Sequence, residues 1–423
     1  MPDIKPRYLI MVTASANNNK YYNQIPNGDS WTAEYNRVGR PPQRRTYPMS
    51  LWDKKYNEKI NKGYVDNTEL IEDLIVVDDE ESPQYKPIEN KSVAEIVDRL
   101  QRMAKETIQK NYKVSSNAVT QAMVDEAQII INDMAALSEK YEKDETILSK
   151  TKTDKINEIL LHLFTVIPRK MNNVNTYLVY DAEKIPEIIK REQDLLDVMA
   201  GQVAQKIEVN KDTKDKGDTS VTILEKLGLI IEECNSNDVA QIKVALGDSV
   251  DKFYRAWKVV NLKTQKRYDN FIKNENITNT KLLFHGSRNE NWWSIINSGL
   301  VLRPTNAVIT GKLYGYGIYF APKARKSLGY TSLSGSYWAR GNDSSGFMAL
   351  MEIAYGVPYD VYDFNSKYGS MTYESLQNFK KGANCLHAHA GASMRYSSLK
   401  NDEIIVYKEE QCTIKYLVEL KNN

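Results

Sequence analysis

The spacing of apolar positions changes twice along the 423-residue chain and divides it into three segments. In the first segment, Tyr8–Thr13 reads as a mostly apolar run, and Ser30–Tyr35 alternates apolar and polar positions. A Pro-Asn-Gly-Asp sequence at 26–29 lies between them. Because short runs of this kind around a Gly-containing turn are typical of β-hairpins, the segment predicts paired strands. A helix is predicted after them, at Leu51–Ile60.

From about residue 91 the apolar period becomes helical. Its clearest stripe recurs every three or four residues, which predicts one buried helix face; the stripe consists of Met123, Ala127, Ile130, Met134 and Leu137. Ser92–Glu95 fits a capping box, and further helices are predicted at 153–167 and 184–206, with His162 in the core. A polar run at 210–219 predicts a surface loop. After this loop the pattern favours strands again.

Composition narrows the class of protein. Hydrophobic residues make up 41% of the chain, which is enough for ordinary buried cores. No apolar run approaches the roughly 18 residues that a membrane helix needs, and the first residues lack an apolar signal core. The three cysteines are widely separated, which fits a reducing compartment and excludes a disulfide framework. We therefore predict an intracellular, monomeric protein with no membrane partner.

Charge is distributed unevenly although the net charge is only +2. Residues 1–63 hold eleven Lys or Arg and five Asp or Glu, a balance of 11 − 5 = +6, whereas residues 64–82 hold eight acidic residues and no basic one. The basic side chains cluster beside two aromatic ones, and the candidates for binding nucleic acid are Trp31, Arg37, Arg40, Arg44 and Arg45. Guanidiniums bind phosphate bidentately and aromatic rings stack on bases. The alternative is a small β-domain with its aromatic residues in the core and its arginines solvated.

Three separated motifs in the last third each place a chemically capable side chain beside a strand-like run. They are Leu-Phe-His-Gly-Ser at 283–287, Tyr-Gly-Tyr-Gly-Ile-Tyr-Phe-Ala at 314–321 and Asn-Asp-Glu-Ile-Ile-Val-Tyr at 401–407. In this order, His285, Tyr319 and Glu403 resemble the His-Tyr-Glu triad of the poly(ADP-ribose) polymerases, which are diphtheria-toxin-like ADP-ribosyltransferases. The resemblance runs from about residue 221 to 420. It implies that NAD+ is the substrate and that ADP-ribose is transferred to proteins, including the chain itself.

The reaction explains these residue types, because breaking the nicotinamide glycosidic bond of NAD+ gives an oxocarbenium-like ribose that negative charge stabilises. The resemblance implies that Gly286 and Ser327 bind the carboxamide of nicotinamide, and that Tyr319 and Tyr330 enclose its ring. It further implies that His285 binds a ribose hydroxyl and that Glu403 binds the 2′-hydroxyl and stabilises the cation. Without the motif, a core histidine and a surface carboxylate would explain these two residues as well.

The resemblance also implies roles for four further residues of the last third of the chain. Lys326 resembles a lysine of the chain-extending members, where it contacts the acceptor. Ser287 and Asn291 match the cofactor side of the family's pocket. Relatives have an Arg after a Gly-Leu pair, where this chain has Val301 and then Arg303, which we take as a cofactor-binding candidate.

The first two segments resemble the modules that precede this catalytic domain in DNA-dependent members. Residues 5–70 are similar to a WGR domain, although Tyr35-Asn36-Arg37 stands where the family has Trp-Gly-Arg. The helical segment is similar to the autoinhibitory helical domain. The resemblance implies activation by DNA with strand breaks bearing a 5′-phosphate.

A possible metal site is formed by Cys385, His387 and His389, which alternate and would therefore share one face of a strand. No fourth ligand is evident nearby in the sequence, and the corresponding loop of the family binds no metal. We therefore predict no metal.

These observations predict a multidomain α+β protein with a β-rich WGR-like domain at 1–80, an all-α helical regulatory domain at 91–219 and a mixed α/β ADP-ribosyltransferase domain at 220–423. The predicted function is NAD+-dependent poly-ADP-ribosylation activated by DNA breaks. Two alternatives stay open, a mono-ADP-ribosyltransferase of the same fold and a DNA-end-binding scaffold with weak catalysis. The expected location is the nucleus in a eukaryote or the cytoplasm in a bacterium, and an Asn-, Ile- and Lys-rich composition favours a bacterial source.

Overall fold

A computed structural model describes most of the chain and divides it into two compact units. The described residues are 4–71, 85–112, 119–144, 146–210, 220–302, 313–337, 339–363, 365–391 and 399–422. The first unit consists of Met1–Glu80 and Lys105–Ala204, and the second consists of Glu81–Ala104 and Gln205–Asn423. The strand-rich segment thus shares a unit with most of the helical segment, and the start of the helical segment belongs with the catalytic motifs. The three functional domains with their predicted bounds stay a prediction.

The first unit begins with an antiparallel five-stranded sheet. Its strands are β1 (Arg7–Thr13), β2 (Asn18–Asn27), β3 (Ser30–Arg37), β4 (Gln43–Pro48) and β5 (Val65–Asp66), in the spatial order β4-β3-β2-β1-β5. Gly28 has a φ of +66° between β2 and β3, which confirms the predicted hairpin turn. Helix α1 (Trp52–Ile60) brings Trp52 edge-on to Trp31 at 5.6 Å between ring centroids, so both rings lie in the core of this sheet.

The helices that follow carry the predicted stripes. They are α2 (Thr68–Ile71), α3 (Lys91–Asn111), α4 (Gln121–Lys143), α5 (Ser149–Val166) and α6 (Ile185–Asn210). Four members of the α4 stripe are buried and Leu137 is partly buried, which confirms the helical period. The prediction that His162 lies in the core is wrong, because the buried face of α5 runs through Leu160, Leu163 and Phe164 and leaves His162 exposed.

A buried ion pair crosses the helices of the first unit. Arg169 donates to both carboxylate oxygens of Glu192, at 3.1 and 2.6 Å, and both side chains are at most 3% exposed. The rings of Tyr112 and Phe164 each lie 4.9 Å from the guanidinium carbon. Although burial acts to raise the pKa of Glu192, the guanidinium lowers it, so the pair stays ionised.

The second unit is a mixed α/β domain built on two sheets, which confirms the class predicted for this part of the chain. Its helices are α7 (Ile223–Leu227), α8 (Ser236–Leu246), α9 (Leu262–Asn274), α10 (Trp292–Ser298), α11 (Ala324–Leu328) and α12 (Tyr373–Phe379). Its strands are β6 (Leu229–Glu233), β7 (Phe253–Asn261), β8 (Thr280–Gly286), β9 (Ile318–Phe320), β10 (Ser345–Ala354), β11 (Pro358–Val361), β12 (Cys385–Ala388), β13 (Glu403–Val406) and β14 (Cys412–Lys421). One sheet has the order β6-β7-β14-β10-β8 and the other β11-β12-β13-β9. No helix among the described residues is long and apolar enough to span a membrane.

In the described part of the second unit, a backbone pair joins the two sheets. The Phe284 N–H donates to the Ala321 carbonyl oxygen at 2.9 Å, and the Ala321 N–H donates back to Phe284 at 3.0 Å. Phe284 lies near the end of β8 in the five-stranded sheet, and Ala321 directly follows β9 in the four-stranded sheet. The pair therefore sets the distance between the two motifs that contain these strands.

Ion pairs attach the first half of α3 to the five-stranded sheet of the second unit. Glu419 of β14 is fully buried and accepts from Arg99 of α3 at 2.5 Å and from Arg255 of β7 at 2.7 Å. The capping box predicted at Ser92–Glu95 is wrong, because the Asn90 side chain accepts from the N–H groups of Ser92 and Val93 instead. The Glu95 carboxylate accepts from Arg255 at 2.9 Å, so it is not available to close that box.

We expect Glu419→Gln to destabilise the chain by about 3 kcal/mol, since removing one partner of a buried ion pair leaves the others uncompensated. Thermal or urea denaturation of the full chain measures the loss. The matched control is Glu95→Gln, which touches the same Arg255 but is 61% exposed and should cost less than about 1 kcal/mol. Equal effects of the two substitutions would show that burial of Glu419 is not what stabilises this contact.

Candidate active site

The structure brings the three motif side chains to the junction of the two sheets. His285 lies at the end of β8, Tyr319 in β9, and Glu403 is the first residue of β13, as the strand pattern predicted. β13 pairs with β9, with Ile405 opposite Tyr319. The His285 Nδ1 lies 3.0 Å from the Tyr319 carbonyl oxygen. Because a carbonyl can only accept, Nδ1 carries the hydrogen, and the tautomer of the imidazole is determined by this contact.

The phenol of Tyr319 is held at both its donor and its acceptor positions. Its oxygen accepts from the Tyr314 N–H at 3.0 Å, and its hydroxyl donates to the Gly315 carbonyl oxygen at 3.1 Å. Burial raises the pKa of Tyr319 well above its usual value; the Tyr314 N–H acts in the opposite direction and the charge of Glu403 adds to the rise. The ring is therefore a neutral, fixed platform at physiological pH.

Two glycines explain how β9 can lie so close to its neighbours. Gly315 has a φ of +80°, and a Cβ at this position would lie 2.2 Å from the Met371 backbone nitrogen. A Cβ on Gly317 would lie 2.2 Å from the Ile405 side chain of β13. The Tyr-Gly-Tyr-Gly sequence before Tyr319 is thus a packing requirement of the site as well as a family motif.

Glu403 forms an ion pair with Lys326 of α11. The Lys326 Nζ lies 2.6 Å from Glu403 Oε1, and the two side chains are 17% and 11% exposed. The carboxylate also acts on the surrounding tyrosines: burial is the main cause and the Glu403 charge the second cause that raises the pKa of Tyr330 to about 12. A negative charge in this largely buried place is suited to stabilising a developing cation.

Gly286 and Ser327 lie against each other across the site. A Cβ on Gly286 would be 2.0 Å from the Ser327 carbonyl oxygen, so only glycine fits at the end of β8. The Ser327 hydroxyl donates to the Phe284 carbonyl oxygen at 3.1 Å. Tyr330 follows α11 and is 40% exposed, which leaves part of its ring open to a flat ligand.

The predicted cofactor side is only partly described. The Asn291 amide donates to the Ser287 hydroxyl at 3.0 Å, so these two predicted residues lie together. Arg303 lies outside the described residues.

Comparisons with known proteins identify the family of the chain. Residues 235–422 match the family model of the poly(ADP-ribose) polymerase catalytic domain. Over 195 residues the chain is 31% identical to a poly(ADP-ribose) polymerase-like protein, 100L, of Invertebrate iridescent virus 6, and the match covers 45% of this chain and 97% of that protein. The chain belongs to the poly(ADP-ribose) polymerase family. It is therefore an ADP-ribosyltransferase whose substrate is NAD+.

Two further relatives show how far the similarity extends. The uncharacterized protein 101L of the same virus is 32% identical over 203 residues, which cover 48% of this chain and 79% of that protein. Poly(ADP-ribose) polymerase 2-A of Oryza sativa subsp. japonica is 22% identical over 304 residues. That match covers 66% of this chain and 44% of the rice protein, so it reaches well beyond the part that matches the catalytic-domain model.

The candidate DNA-binding residues of this polymerase-family chain fall into two groups. Trp31 is fully buried, stacks on Tyr47 at 4.8 Å and donates to the Pro48 carbonyl, so in this conformation it has no exposed face to stack on DNA. Arg37 donates to Asn17 and to the carbonyl oxygens of Met171 and Asn172, contacts that lie within the first unit.

The second group consists of exposed arginines on and before β4, an edge strand of its sheet. Arg40 is exposed, Arg44 pairs with Glu34 at 2.6 Å, and the Arg45 guanidinium lies 5.1 Å from the centre of the Tyr47 ring. These three arginines are the predicted candidates whose side chains are exposed.

The fold separates Cys385 from the two histidines of the possible metal site. Cys385 is buried and its Sγ donates to the Tyr355 carbonyl oxygen, whereas His387 and His389 face Asp360. Asp360 lies 27 residues before His387 in the sequence, so the alternating pattern alone could not identify it as a neighbour.

We expect Gly286→Ala to lower NAD+ turnover by about 100-fold, because the added methyl must push β8 away from α11 by about 1 Å or more. Steady-state turnover of NAD+, together with the melting temperature, measures both consequences. Gly369→Ala is the matched control, since a Cβ there meets nothing within 4 Å and its φ lies outside the left-handed region. Wild-type turnover in the Gly286→Ala variant would show that the close approach of β8 and α11 is not needed.

Proposed function

We propose that the chain is a poly-ADP-ribosyltransferase that DNA breaks activate and that modifies itself and other proteins. The observation that supports it most directly is the ion pair between Lys326 and Glu403 beside Tyr319, Tyr330 and His285. A carboxylate held in this way serves both NAD+ cleavage and activation of an acceptor hydroxyl. Glutamate at this position, next to such a lysine, is typical of the chain-extending members that the sequence resembles.

The pocket residues have distinct roles in this proposal. The Gly286 backbone and the Ser327 hydroxyl bind the carboxamide of nicotinamide, and Tyr319 and Tyr330 lie on the two faces of its ring. The charged pyridinium gains a cation–π interaction from these neutral rings. His285 binds a ribose hydroxyl through Nε2, because Nδ1 is engaged by Tyr319. Ser287, Asn291 and Arg303 bind the remainder of the dinucleotide.

The chemical step then follows from the position of the charge. The bond between ribose C1′ and nicotinamide breaks, and its electron pair leaves with nicotinamide. The Glu403 carboxylate stabilises the oxocarbenium-like ribose and orients the acceptor hydroxyl, whose oxygen forms the new bond at C1′. Its proton passes to Glu403. Lys326 restrains one carboxylate oxygen, so that the other can face the ribose and the acceptor.

Activation is proposed to begin in the first segment. Residues 1–80 act as a WGR-like module whose exposed Arg40, Arg44 and Arg45 contact the phosphates of a DNA break, including a 5′-phosphate. Residues 91–219 act as the regulatory helical domain that limits access to NAD+ until DNA binds. The exposed guanidiniums and the +6 balance of residues 1–63 support this part of the proposal.

We expect Glu403→Gln to lower ADP-ribose transfer by roughly 100- to 1000-fold while NAD+ binding is kept, because the amide preserves the shape of the side chain and removes its charge. Labelled NAD+ on a denaturing gel measures transfer, and equilibrium binding of NAD+ measures affinity. Glu374→Gln makes the same chemical change at an exposed carboxylate of the second unit and should leave both unchanged. Unchanged transfer in Glu403→Gln would remove Glu403 from the mechanism.

We expect nicked, 5′-phosphorylated DNA to stimulate labelling, and stimulation to weaken steeply with salt because phosphate contacts release counterions. Replacing Arg40, Arg44 and Arg45 by Gln should abolish the stimulation and leave DNA-independent turnover unchanged. The matched control replaces three exposed lysines of the helices, Lys110, Lys140 and Lys150, by Gln.

The product on the gel separates the alternatives. A high-molecular-weight smear that requires DNA supports a break-activated polymerase, and a single sharp band indicates mono-ADP-ribosylation. DNA binding without labelling would favour the scaffold, and labelling that ignores DNA would refute the roles given to the first two segments.

A further inference from the structure

We propose that Asp360, His387 and His389 form a binding site for a divalent transition-metal ion such as Zn²⁺, with Asp402 as its outer partner. We call these four residues the His–Asp cluster. The site lies in the second unit at one end of the four-stranded sheet. Asp402 directly precedes Glu403, the first residue of β13. The contacts that define the cluster are independent of the proposed function.

The sheet itself brings the four residues together. Asp360 of β11 stands directly opposite His387 of β12 in a parallel pair. His389 continues this pairing, since its N–H donates to the Val361 carbonyl oxygen at 2.9 Å. Asp402 directly precedes β13 and accepts from the Ala390 N–H at 2.9 Å. The strand pairing and these backbone hydrogen bonds therefore bring two imidazoles and two carboxylates to one place.

The distances between donor atoms suit a metal ion. Asp360 Oδ1 lies 2.7 Å from His389 Nε2 and 3.9 Å from His387 Nδ1. One ligand atom each from these three residues lies within 4.8 Å of the other two. Tetrahedral zinc with bonds of about 2.0–2.1 Å places its ligand atoms about 3.4 Å apart. Asp360 Oδ1 and His389 Nε2 are now joined by a hydrogen bond at 2.7 Å, so they must separate by roughly 0.7 Å when an ion replaces the hydrogen between them.

Asp402 occupies the position of an outer partner. Its Oδ2 lies 3.1 Å from His387 Nε2, the nitrogen that does not face Asp360. Metal-binding histidines commonly donate their second N–H to a carboxylate, which orients the ring and makes the other nitrogen a better ligand. The contact between His387 and Asp402 has this form.

Charge in the cluster also favours a cation. Two carboxylates lie beside the two imidazoles, and carboxylate oxygens attract cations. The side chain of His387 is 11% exposed and that of His389 is 24% exposed, so water screens this charge incompletely. A divalent ion offsets the charge and uses imidazole and carboxylate ligands, which zinc accepts.

Binding also requires the two imidazoles and the Tyr355 hydroxyl to turn. The two imidazoles are now stacked, with ring centroids 3.8 Å apart and an interplanar angle of 25°, and the Tyr355 hydroxyl lies 2.8 Å from His387 Nδ1. The rings must turn so that both lone pairs point to the ion, and the hydroxyl must turn away from Nδ1. His389 is bounded on its other face by Tyr362, which stacks on it at 4.5 Å and limits how far the ring can move.

Calorimetric titration of the chelator-treated full chain with Zn²⁺ alone tests the site. We expect one ion per chain, with affinity lowered by about 10- to 100-fold in Asp402→Asn and by more in His389→Gln and Asp360→Asn, which lose a ligand. The matched controls are His162→Gln on the exposed face of α5 and Cys385→Ser in the same strand as His387. Both should bind zinc as the wild type does.

Co²⁺ absorption gives a second measurement that does not depend on the variants folding. A visible d–d spectrum of the wild-type chain that Zn²⁺ abolishes stoichiometrically would support the site. No saturable Zn²⁺ binding by the wild type, or equal affinity in His389→Gln and wild type, would overturn the proposal. Loss of binding in Cys385→Ser or His162→Gln, with His389→Gln unaffected, would place the ion elsewhere and overturn it too.

Discussion

The backbone pair between Phe284 and Ala321 is the contact on which the active site depends. It joins the end of β8 to the residue after β9, and so connects the five-stranded sheet to the four-stranded one. His285 is the next residue after Phe284, and Tyr319 lies two residues before Ala321. The distance between the histidine and tyrosine motifs is therefore set by main-chain hydrogen bonds, and the contact from His285 to the Tyr319 carbonyl adds a side-chain restraint to the same junction. Rigid strands position the reacting groups more reproducibly than loops do.

Burial determines which side chains are charged where the two sheets of the second unit meet. Glu403 begins β13, which pairs with β9, and Lys326 reaches it from α11 at 2.6 Å. The tyrosines around this pair are neutral, because burial and the Glu403 charge both raise the pKa of Tyr330 and Tyr319. The Glu403 carboxylate thus lies among neutral aromatic rings, where its electric field is weakly screened. The same principle operates at Glu419 and Glu192, where buried carboxylates attach elements to one another by binding arginines.

Several residues show where prediction from the sequence succeeded and where it could not. The strand that begins at Glu403, the hairpin at Gly28 and the helical stripe of α4 all follow from local periodicity, because neighbours along the chain determine them. Arg37 is different: the sequence indicated a phosphate ligand, and the structure places its guanidinium on carbonyl oxygens more than 130 residues away. Ser92 looked like a helix cap, yet Asn90 caps α3. Polar side chains have several satisfactory partners, and only the folded chain decides among them.

The amino-acid sequence predicts the family chemistry, since the order and the neighbours of the His, Tyr and Glu motifs indicate the reaction. It also determined the elements that carry these motifs, because strand and helix periods are local properties. The fold, by contrast, sets which groups come into contact. It paired Lys326 with Glu403, placed the Ser327 carbonyl where a Cβ on Gly286 would be, and assembled Asp360 with His387 and His389. These contacts join residues 27 to 77 positions apart, and no local pattern encodes a distance across a sheet.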